Sequence, residues 1–174
     1  MIEYRKYKVL FADLDGTLID TMSGYDFPTD INDWVLKSDV INKIYQMGIE
    51  RLHIVTNQGG ISKGYFTKND IVSKLNRICS NIRTYTDKPY SFIVSYDICE
   101  SDKLSDRKRK PNTGMYEDFF KLCGSRYSKS DCLMIGDASG MEGNFSDSDL
   151  KSAENFGIDY LDVNDFVNEE IREQ

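Results

Sequence analysis

The sequence predicts an α/β protein in which helices flank a parallel sheet. Two observations lead to this prediction. Short runs of consecutive apolar and β-branched residues recur along the chain, as expected for strands that are buried on both faces of a sheet. Between these runs, apolar residues repeat at helical spacing, and strands that alternate with helices favour right-handed βαβ units.

The candidate strands are short and mostly apolar. In chain order they are Tyr7–Asp13, Arg51–Thr56, Tyr90–Ser95, Asp131–Gly136 and Asp159–Leu161. The helical patterns between them are Val40, Ile41, Ile44 and Met47; Ile71, Leu75, Ile78 and Ile82; Met115, Phe119 and Leu122; and Leu150, Ala153 and Phe156. We expect these helical faces to pack on the sheet.

One segment interrupts the alternation. Between Thr17 and Asp39 the chain contains glycine, proline and aromatic residues without a clear helical period. The part from Thr21 to Trp34 follows the first strand directly. It therefore predicts a small flap over the carboxyl end of that strand.

Length and composition limit the possible functions. The chain has 174 residues, which predicts a single domain at roughly 150 residues per domain. Its net charge of −7 opposes binding of long polyanions, so any nucleic acid must be held locally. No apolar run is long enough for a membrane span, and the four cysteines lack metal-site spacing. We expect reduced thiols, a cytoplasmic location (or a nuclear one in a eukaryotic host) and a monomer.

Acidic residues follow two of the predicted strands. Asp13 and Asp15 are two residues apart at the end of the first strand, so in extended geometry their carboxylates would share one crevice. Like charges this close favour a divalent cation or one protonated carboxyl. Asp137 follows the fourth strand and would complete an oxygen-rich Mg²⁺ site. The alternative for either motif is an ordinary turn.

Two further segments offer groups that suit phosphate. Thr56 and Asn57 end the second strand with a hydroxyl and an amide, although a helix cap or Asx turn is the alternative. The basic run Arg107–Lys110 precedes Pro111 in an acidic chain. A solvated face is the usual reading of such a run. Its sign, opposite to that of the chain, favours a local anion site.

Taken together, these motifs resemble the haloacid dehalogenase superfamily of phosphotransferases. Seven ordered strings resemble more closely the 3′-phosphatase domain of the polynucleotide kinase/phosphatase family, over about residues 8 to 162. The strings are FADLDGTLI, SGYDFPTDINDW, TNQGGISKG, RKPNTGM, GDASG, FSDSD and ENFGI. The resemblance implies a Rossmann-like core and Mg²⁺-dependent removal of a 3′-phosphate from DNA or RNA ends. It implies no kinase domain, so we expect no 5′-phosphorylation.

The resemblance also implies roles for single residues. Asp13 would be the nucleophile and Asp15 the general acid and base. Thr56 and Lys110 would bind the transferring phosphoryl group, beside Asn57. The metal would be held by Asp13, the Asp15 backbone carbonyl and Asp137. Two basic residues, Lys63 and Arg109, would hold substrate phosphates, and with the rest of the 107–110 run they would form a small positive mouth.

The sequence departs from the family just after the GDASG string, where Met141 replaces an arginine and Asn144 replaces an aspartate. Two alternatives to a polynucleotide substrate stay open. One is a small-molecule phosphatase of the same superfamily, acting on a histidinol or heptose phosphate. Such relatives often carry a C-x-H zinc loop before the RKP segment, where this chain has only Cys99. The other is a non-catalytic module that binds nucleic-acid ends.

Overall fold

A parallel five-stranded sheet forms the centre of the protein in a computed structural model that describes residues 6–86 and 92–169. In chain order the elements are β1 (Val9–Ala12), β2 (Ile19–Asp20), β3 (Val35–Leu36), α1 (Ser38–Gln46), β4 (Arg51–Asn57), α2 (Lys68–Arg83), β5 (Ile93–Cys99), α3 (Gly114–Cys123), β6 (Cys132–Gly136), α4 (Ser148–Phe156), β7 (Asp159–Asp162) and α5 (Val163–Asn168). The sheet order is β5-β4-β1-β6-β7. The predicted α/β class is confirmed; Tyr90 and Ser91, which begin the third predicted strand, lie outside the described residues.

Alternation along the central strand builds two cores. Leu10 and Ala12 face a cluster that includes residues of α1, α2 and α5, whereas Val9 and Phe11 face a cluster with α3 and α4. All four are fully buried, and burying a side chain as large as Phe11 stabilises the fold by about 1.5–3 kcal/mol. The consecutive apolar residues of β1 are therefore required, because helices cover both faces of the sheet.

The strand order positions the site. β1 pairs with β4 on one side and with β6 on the other, all in parallel. The residues that follow these three strands therefore meet at one edge of the sheet, in the crevice where ligands bind in open α/β sheets. Asp13 stays attached to this edge, because its backbone N–H donates to the carbonyl of Ile135 at 3.0 Å.

The flap after the first strand is present and has its own internal support. β2 and β3 pair antiparallel at its base. Above them, the buried carboxylate of Asp33 accepts hydrogen bonds from the backbone N–H and the hydroxyl of both Ser23 and Thr29, at 2.7–3.1 Å. Arg77 on α2 donates to the Asn32 side chain at 2.6 Å. The Asp33 bonds hold the flap together, and the Arg77 bond ties it to the helix beside the crevice.

Two of the apolar positions predicted to face the core do not. Leu122 is 87% exposed, because the inner stripe of α3 runs through Tyr116 and Phe119 and has turned away before Leu122. Leu150 is only half-buried, since Asp149 lies at the core-facing position beside it. Neither α5 nor the β2–β3 pair was predicted. Within residues 6–86 and 92–169, no helix has the length and apolar composition needed to cross a membrane.

The histidine of this fold gives a stability prediction. His53 is buried between the rings of Phe11 and Phe119, with Nδ1 2.8 Å from the Ser95 hydroxyl. Burial, aided by the charges of Arg51 and Lys108, lowers its pKa from 6.5 to about 3. The unfolded chain binds a proton below pH 6.5 that the native chain excludes. Stability from His53 is therefore full above this pH and is lost as the pH falls towards 3.

We expect His53→Gln to remove this acid sensitivity. Each pH unit below 6.5 costs the wild type up to about 1.4 kcal/mol through His53, and the variant escapes this loss. Urea unfolding between pH 7 and about 5 measures the difference in slope. Since His53 is the only histidine in the chain, that difference isolates the imidazole. Parallel curves for the two proteins would contradict the assignment.

Candidate active site

A buried lysine lies at the centre of the crevice. Lys110 is 3% exposed, and its Nζ is 2.5 Å from Asp13 Oδ1 and 2.6 Å from Asp149 Oδ1. Burial alone would lower the pKa of Lys110, but the charges of Asp13 and Asp149 raise it above its usual value. Lys110 therefore keeps its proton and holds the two carboxylates together.

Asn57 fixes the backbone that delivers this lysine. Its Oδ1 accepts from the Lys110 N–H at 2.9 Å, and its Nδ2 donates to the Lys110 carbonyl at 3.1 Å. The side chain that was predicted to contact substrate is thus engaged with the loop that carries Lys110. One amide N–H of Asn57 remains for a phosphoryl oxygen, so its substrate contact stays a prediction.

Three carboxylates gather beside Lys110. Asp13, Asp137 and Asp149 each present an oxygen within 4.8 Å of the others. Burial raises the pKa of Asp13 and of Asp137, and repulsion from Asp149 adds to both shifts. The positive charges of Lys110 and Lys37 offset only part of this negative charge, and oxygen ligands of this kind suit a hard cation such as Mg²⁺. The residues present therefore fit a divalent metal.

Two glycines make room for the carboxylates. A Cβ on Gly16 would come 2.2 Å from Asp137 Oδ2, and a Cβ on Gly136 would come 2.2 Å from Asp149 Oδ2. Gly16 also has a φ of +79°, which side chains rarely adopt. The glycines of the DLDGT and GD motifs are thus required by the close approach of the acidic side chains.

The spacing predicted that Asp13 and Asp15 share one crevice, and the described polar contacts of the Asp15 carboxylate are with Lys74 and Gln58. Its Oδ1 lies 3.2 Å from Lys74 Nζ, and its Oδ2 accepts from Gln58 Nε2 at 2.8 Å. β1 ends at Ala12, so Asp15 belongs to the following turn and the alternation of an extended strand no longer applies. The carboxylates that surround Asp13 are those of Asp137 and Asp149. A metal contact from the Asp15 carbonyl stays a prediction.

Thr56 and Asp15 are linked through Gln58. Thr56 is almost fully buried, and its hydroxyl accepts from Gln58 Nε2 at 2.8 Å. The same Nε2 donates to Asp15, so the ends of β1 and β4 are connected by one amide group. The structure thus brings Thr56 and Asp15 to one edge of the sheet, as predicted.

Most side chains of the basic run Arg107–Lys110 form ion pairs with carboxylates of the same chain. Arg107 binds Asp118 at 2.5 Å, and Lys108 binds Asp97 at 2.9 Å. In the described part of the chain, Arg109 has no carboxylate partner; it donates to the Ser101 carbonyl, and its buried Nε lacks an acceptor. The positive mouth is therefore smaller than the five side chains that were predicted to form it.

Other predicted positions lie at the periphery. Lys63 is exposed in the turn after β4, and its side chain has no described polar contact. Asn144, at the position where the family has an aspartate, accepts from the Ser139 hydroxyl and from the Met141 N–H. Its described contacts are thus within its own loop and involve none of the three clustered carboxylates.

Sequence reasoning missed Asp149 and Lys74. Asp149 falls on the buried stripe of α4 with Ser152 and Ala153, and Lys74 on that of α2. The signal was a charged residue placed at helical spacing within an apolar stripe. Such residues are rarely buried unless they are paired.

The comparisons with known proteins agree with this geometry. The family model described as polynucleotide kinase 3 phosphatase matches residues 8–166. The chain belongs to this family. The motifs and the fold both resemble those of the haloacid dehalogenase superfamily.

Three relatives give the family context. The chain is 34% identical to the bifunctional polynucleotide phosphatase/kinase of Schizosaccharomyces pombe over 88% of its own length and 36% of the yeast protein. It is 30% identical to an uncharacterized 20.8 kDa protein of Autographa californica nuclear polyhedrosis virus, over 94% of this chain and 87% of that one. It is 27% identical to a probable D-glycero-D-manno-heptose-1,7-bisphosphate 7-phosphatase of Thermoplasma volcanium, over 80% and 91%.

A solved structure supports the same fold. The D,D-heptose 1,7-bisphosphate phosphatase of B. bronchiseptica, complexed with magnesium and phosphate, superimposes with a TM-score of 0.66 at 18% identity, over 88% of this chain and 78% of that one. At this identity the likeness concerns the fold. The match over residues 8–166 places the chain in a family of phosphatases.

The acidic cluster predicts that one substitution, Asp137→Asn, has opposite effects on the stability of the metal-free and the Mg²⁺-bound protein. We expect Asp137→Asn to raise the melting temperature without metal, because it relieves repulsion worth about 1 kcal/mol beside Asp149. We expect millimolar Mg²⁺ to stabilise the wild type and to stabilise the variant much less. Thermal unfolding with Mg²⁺ or with EDTA measures both effects.

A matched control is Asp165→Asn, which removes an exposed carboxylate on α5. This variant should respond to Mg²⁺ as the wild type does. Equal Mg²⁺ stabilisation of Asp137→Asn and wild type would contradict the assignment of Asp137 to the metal site.

Proposed function

We propose that the protein is a Mg²⁺-dependent polynucleotide 3′-phosphatase, which removes the 3′-phosphate from DNA or RNA ends in nucleic-acid repair. The observation that carries the proposal is the family match over residues 8–166. It is supported by the contacts that join the ends of β1 and β4 to Lys110, since they assemble a nucleophile, an acid–base group and phosphate ligands at one edge of the sheet.

In the first step Asp13 attacks phosphorus in line. A bond forms between its carboxylate oxygen and phosphorus, and the bond from phosphorus to the 3′-oxygen breaks. Asp15, which must enter this step protonated, donates that proton to the leaving 3′-oxygen, which would otherwise depart as an alkoxide. The product is an aspartyl-phosphate and a free 3′-hydroxyl.

In the second step water attacks the aspartyl-phosphate. Asp15, now ionised, takes a proton from the water, and the bond between phosphorus and Asp13 breaks to release inorganic phosphate. Lys110 and Thr56 bind phosphoryl oxygens during both steps. The metal held by Asp13 and Asp137, when bound, offsets negative charge on the same oxygens. Asp149 holds the Lys110 ammonium in position beside Asp13.

Features of the crevice rim fit a polynucleotide. Tyr25 and Phe27 on the flap are 68% and 73% exposed, and exposed aromatic rings can stack on bases. The flap is tied by Arg77 to α2, the helix that also contacts Asp15. Lys63 lies on the turn that leads into the same helix. These groups suit a few nucleotides next to the terminal phosphate.

A second candidate is a small-molecule phosphatase acting on a heptose phosphate. The observation that favours it is the match over 91% of the heptose-bisphosphate phosphatase of Thermoplasma volcanium. A zinc loop of the C-x-H kind is absent from residues 93–110, where Cys99 is the only cysteine and no histidine occurs. We therefore rank this candidate second. A non-catalytic end-binding module ranks third, because the residues that the family uses for catalysis are all intact: Asp13, Thr56, Lys110 and Asp137.

We further propose that the 174 residues act as one catalytic domain, as a monomer, in the cytoplasm or in the nucleus of a eukaryotic host. The free state of Cys79, Cys99, Cys123 and Cys132 supports a reducing compartment.

The central prediction concerns the two aspartates. We expect Asp13→Asn and Asp15→Asn each to lower phosphate release from a 3′-phosphorylated oligonucleotide by at least about 100-fold, because each step needs both groups. The assay uses Mg²⁺ and measures free phosphate. Asp165→Asn, which alters an exposed carboxylate, should keep wild-type activity. Full activity in either aspartate variant would contradict the mechanism.

A substrate panel separates the candidates. Parallel assays on 3′-phosphorylated DNA, 3′-phosphorylated RNA, a heptose phosphate and histidinol phosphate give kcat/KM for each. The proposal expects the oligonucleotides to lead by at least about tenfold. A heptose phosphate in first place would support the second candidate instead.

Lys63 should act on binding and not on chemistry. We expect Lys63→Ala to raise KM for the oligonucleotide several-fold, with a weaker salt dependence and an unchanged kcat, because it removes one phosphate contact. The matched control is Lys121→Ala, which removes an exposed lysine of α3. An identical KM in Lys63→Ala and the control would exclude Lys63 from the substrate surface.

A further inference from the structure

Lys74 is buried where its sequence surroundings are apolar. It lies on the inner face of α2 beside Ile71, Leu75 and Ile78, and it is 3% exposed. An ammonium group in such a position is costly, because it loses its hydration. Its described polar contact is with Asp15, whose side chain is 48% exposed in the crevice. The lysine thus reaches from the core to a group at the surface of the site.

The carboxylate of Asp15 is held at both oxygens. Lys74 Nζ lies 3.2 Å from Oδ1, and Gln58 Nε2 lies 2.8 Å from Oδ2. Gln58 is itself fixed, because the same Nε2 donates to the buried hydroxyl of Thr56. A half-exposed aspartate without such donors would sample several rotamers.

We propose that Lys74 is a positioning residue that orients Asp15 towards the oxygen of the leaving group. The inference rests on the acid–base role of Asp15 in the proposed function. A general acid must lie within hydrogen-bond reach of the oxygen that it protonates, and a small misplacement of a reacting group costs much of the rate. Lys74 fixes one oxygen of Asp15 from the core, and Gln58 fixes the other from β4.

A purely structural role for Lys74 makes the opposite stability prediction. If the ion pair served the fold, its removal would destabilise the protein. However, Asp15 is half-exposed and can be hydrated by itself, and a methionine of similar length fits an apolar stripe. We therefore expect Lys74→Met to be at least as stable as the wild type and less active.

The decisive test compares two leaving groups. A 3′-alkoxide needs a proton to leave, whereas p-nitrophenolate leaves without one. For both esters kcat/KM reports the steps up to aspartyl-phosphate formation. We expect Lys74→Met to lower kcat/KM for the phosphorylated oligonucleotide by about 10- to 100-fold and that for p-nitrophenyl phosphate by less than about threefold. Urea unfolding measures the stability of the same variant.

Lys43→Met is the matched control. Lys43 is also a lysine on the buried face of a helix, and it donates to the backbone carbonyls of Val167 and Glu169, away from the crevice. This variant should leave the ratio of the two kcat/KM values unchanged. Equal losses on both esters in Lys74→Met, or a loss of stability with an unchanged ratio, would overturn the positioning role.

Asp15→Asn separates this inference from the proposed mechanism. Suppose that Asp15→Asn lowers kcat/KM only for the oligonucleotide, while Lys74→Met leaves the ratio of the two kcat/KM values unchanged. The acid role of Asp15 then stands, and the positioning role of Lys74 is overturned. If Asp15→Asn itself leaves the ratio unchanged, the proposed acid role fails, and the positioning role with it. If a heptose phosphate is the better substrate, the same comparison with that alkyl ester tests Lys74 independently of the polynucleotide proposal.

Discussion

The contact of Lys110 with Asp13 and Asp149 is the interaction on which the site depends. It joins three parts of the chain that are distant in sequence: the end of β1, the loop before α3 and the first turn of α4. Because all three side chains are largely buried, removal of any one leaves charge without a partner in a poorly solvated place. Asn57 and Gly136 serve this contact, one by fixing the Lys110 backbone and the other by leaving room for Asp149.

Around this contact the site has more negative than positive charge when no metal is bound. Three carboxylates outnumber the two nearby ammonium groups of Lys110 and Lys37, and burial raises the pKa of Asp13 and Asp137. A fold selected for stability alone would avoid this cluster. A fold selected to bind a divalent cation and then a phosphoryl group needs this carboxylate cluster. The cation supplies the missing positive charge, and Lys110 adds its own positive charge. Strain of this kind is typical of functional sites.

The sequence predicted what local patterns determine. Consecutive apolar residues identified the five parallel strands, and the rule that ligands bind at the carboxyl ends of strands directed attention to Asp13, Thr56 and Asp137. Asp149 and Lys74 were not predicted as site residues, because they interrupt apolar stripes and the helical periodicity was assigned from apolar residues alone. The extended geometry assumed for Asp13 and Asp15 does not apply for another reason: the chain leaves the strand at Ala12, and no local pattern marks where alternation stops.

The basic run shows how tertiary contacts change the meaning of a charge pattern. In the sequence, Arg107–Lys110 read as a positive mouth in a chain of net charge −7. In the fold, Arg107 and Lys108 are neutralised by Asp118 and Asp97, and Lys110 belongs to the acidic cluster. A long polyanion therefore meets few unpaired cations in the described crevice, and salt-dependent backbone contacts can supply little of the affinity. In the proposed function, recognition therefore concentrates on the terminal phosphate, which Lys110 and the metal site would bind, and on a few nucleotides next to it.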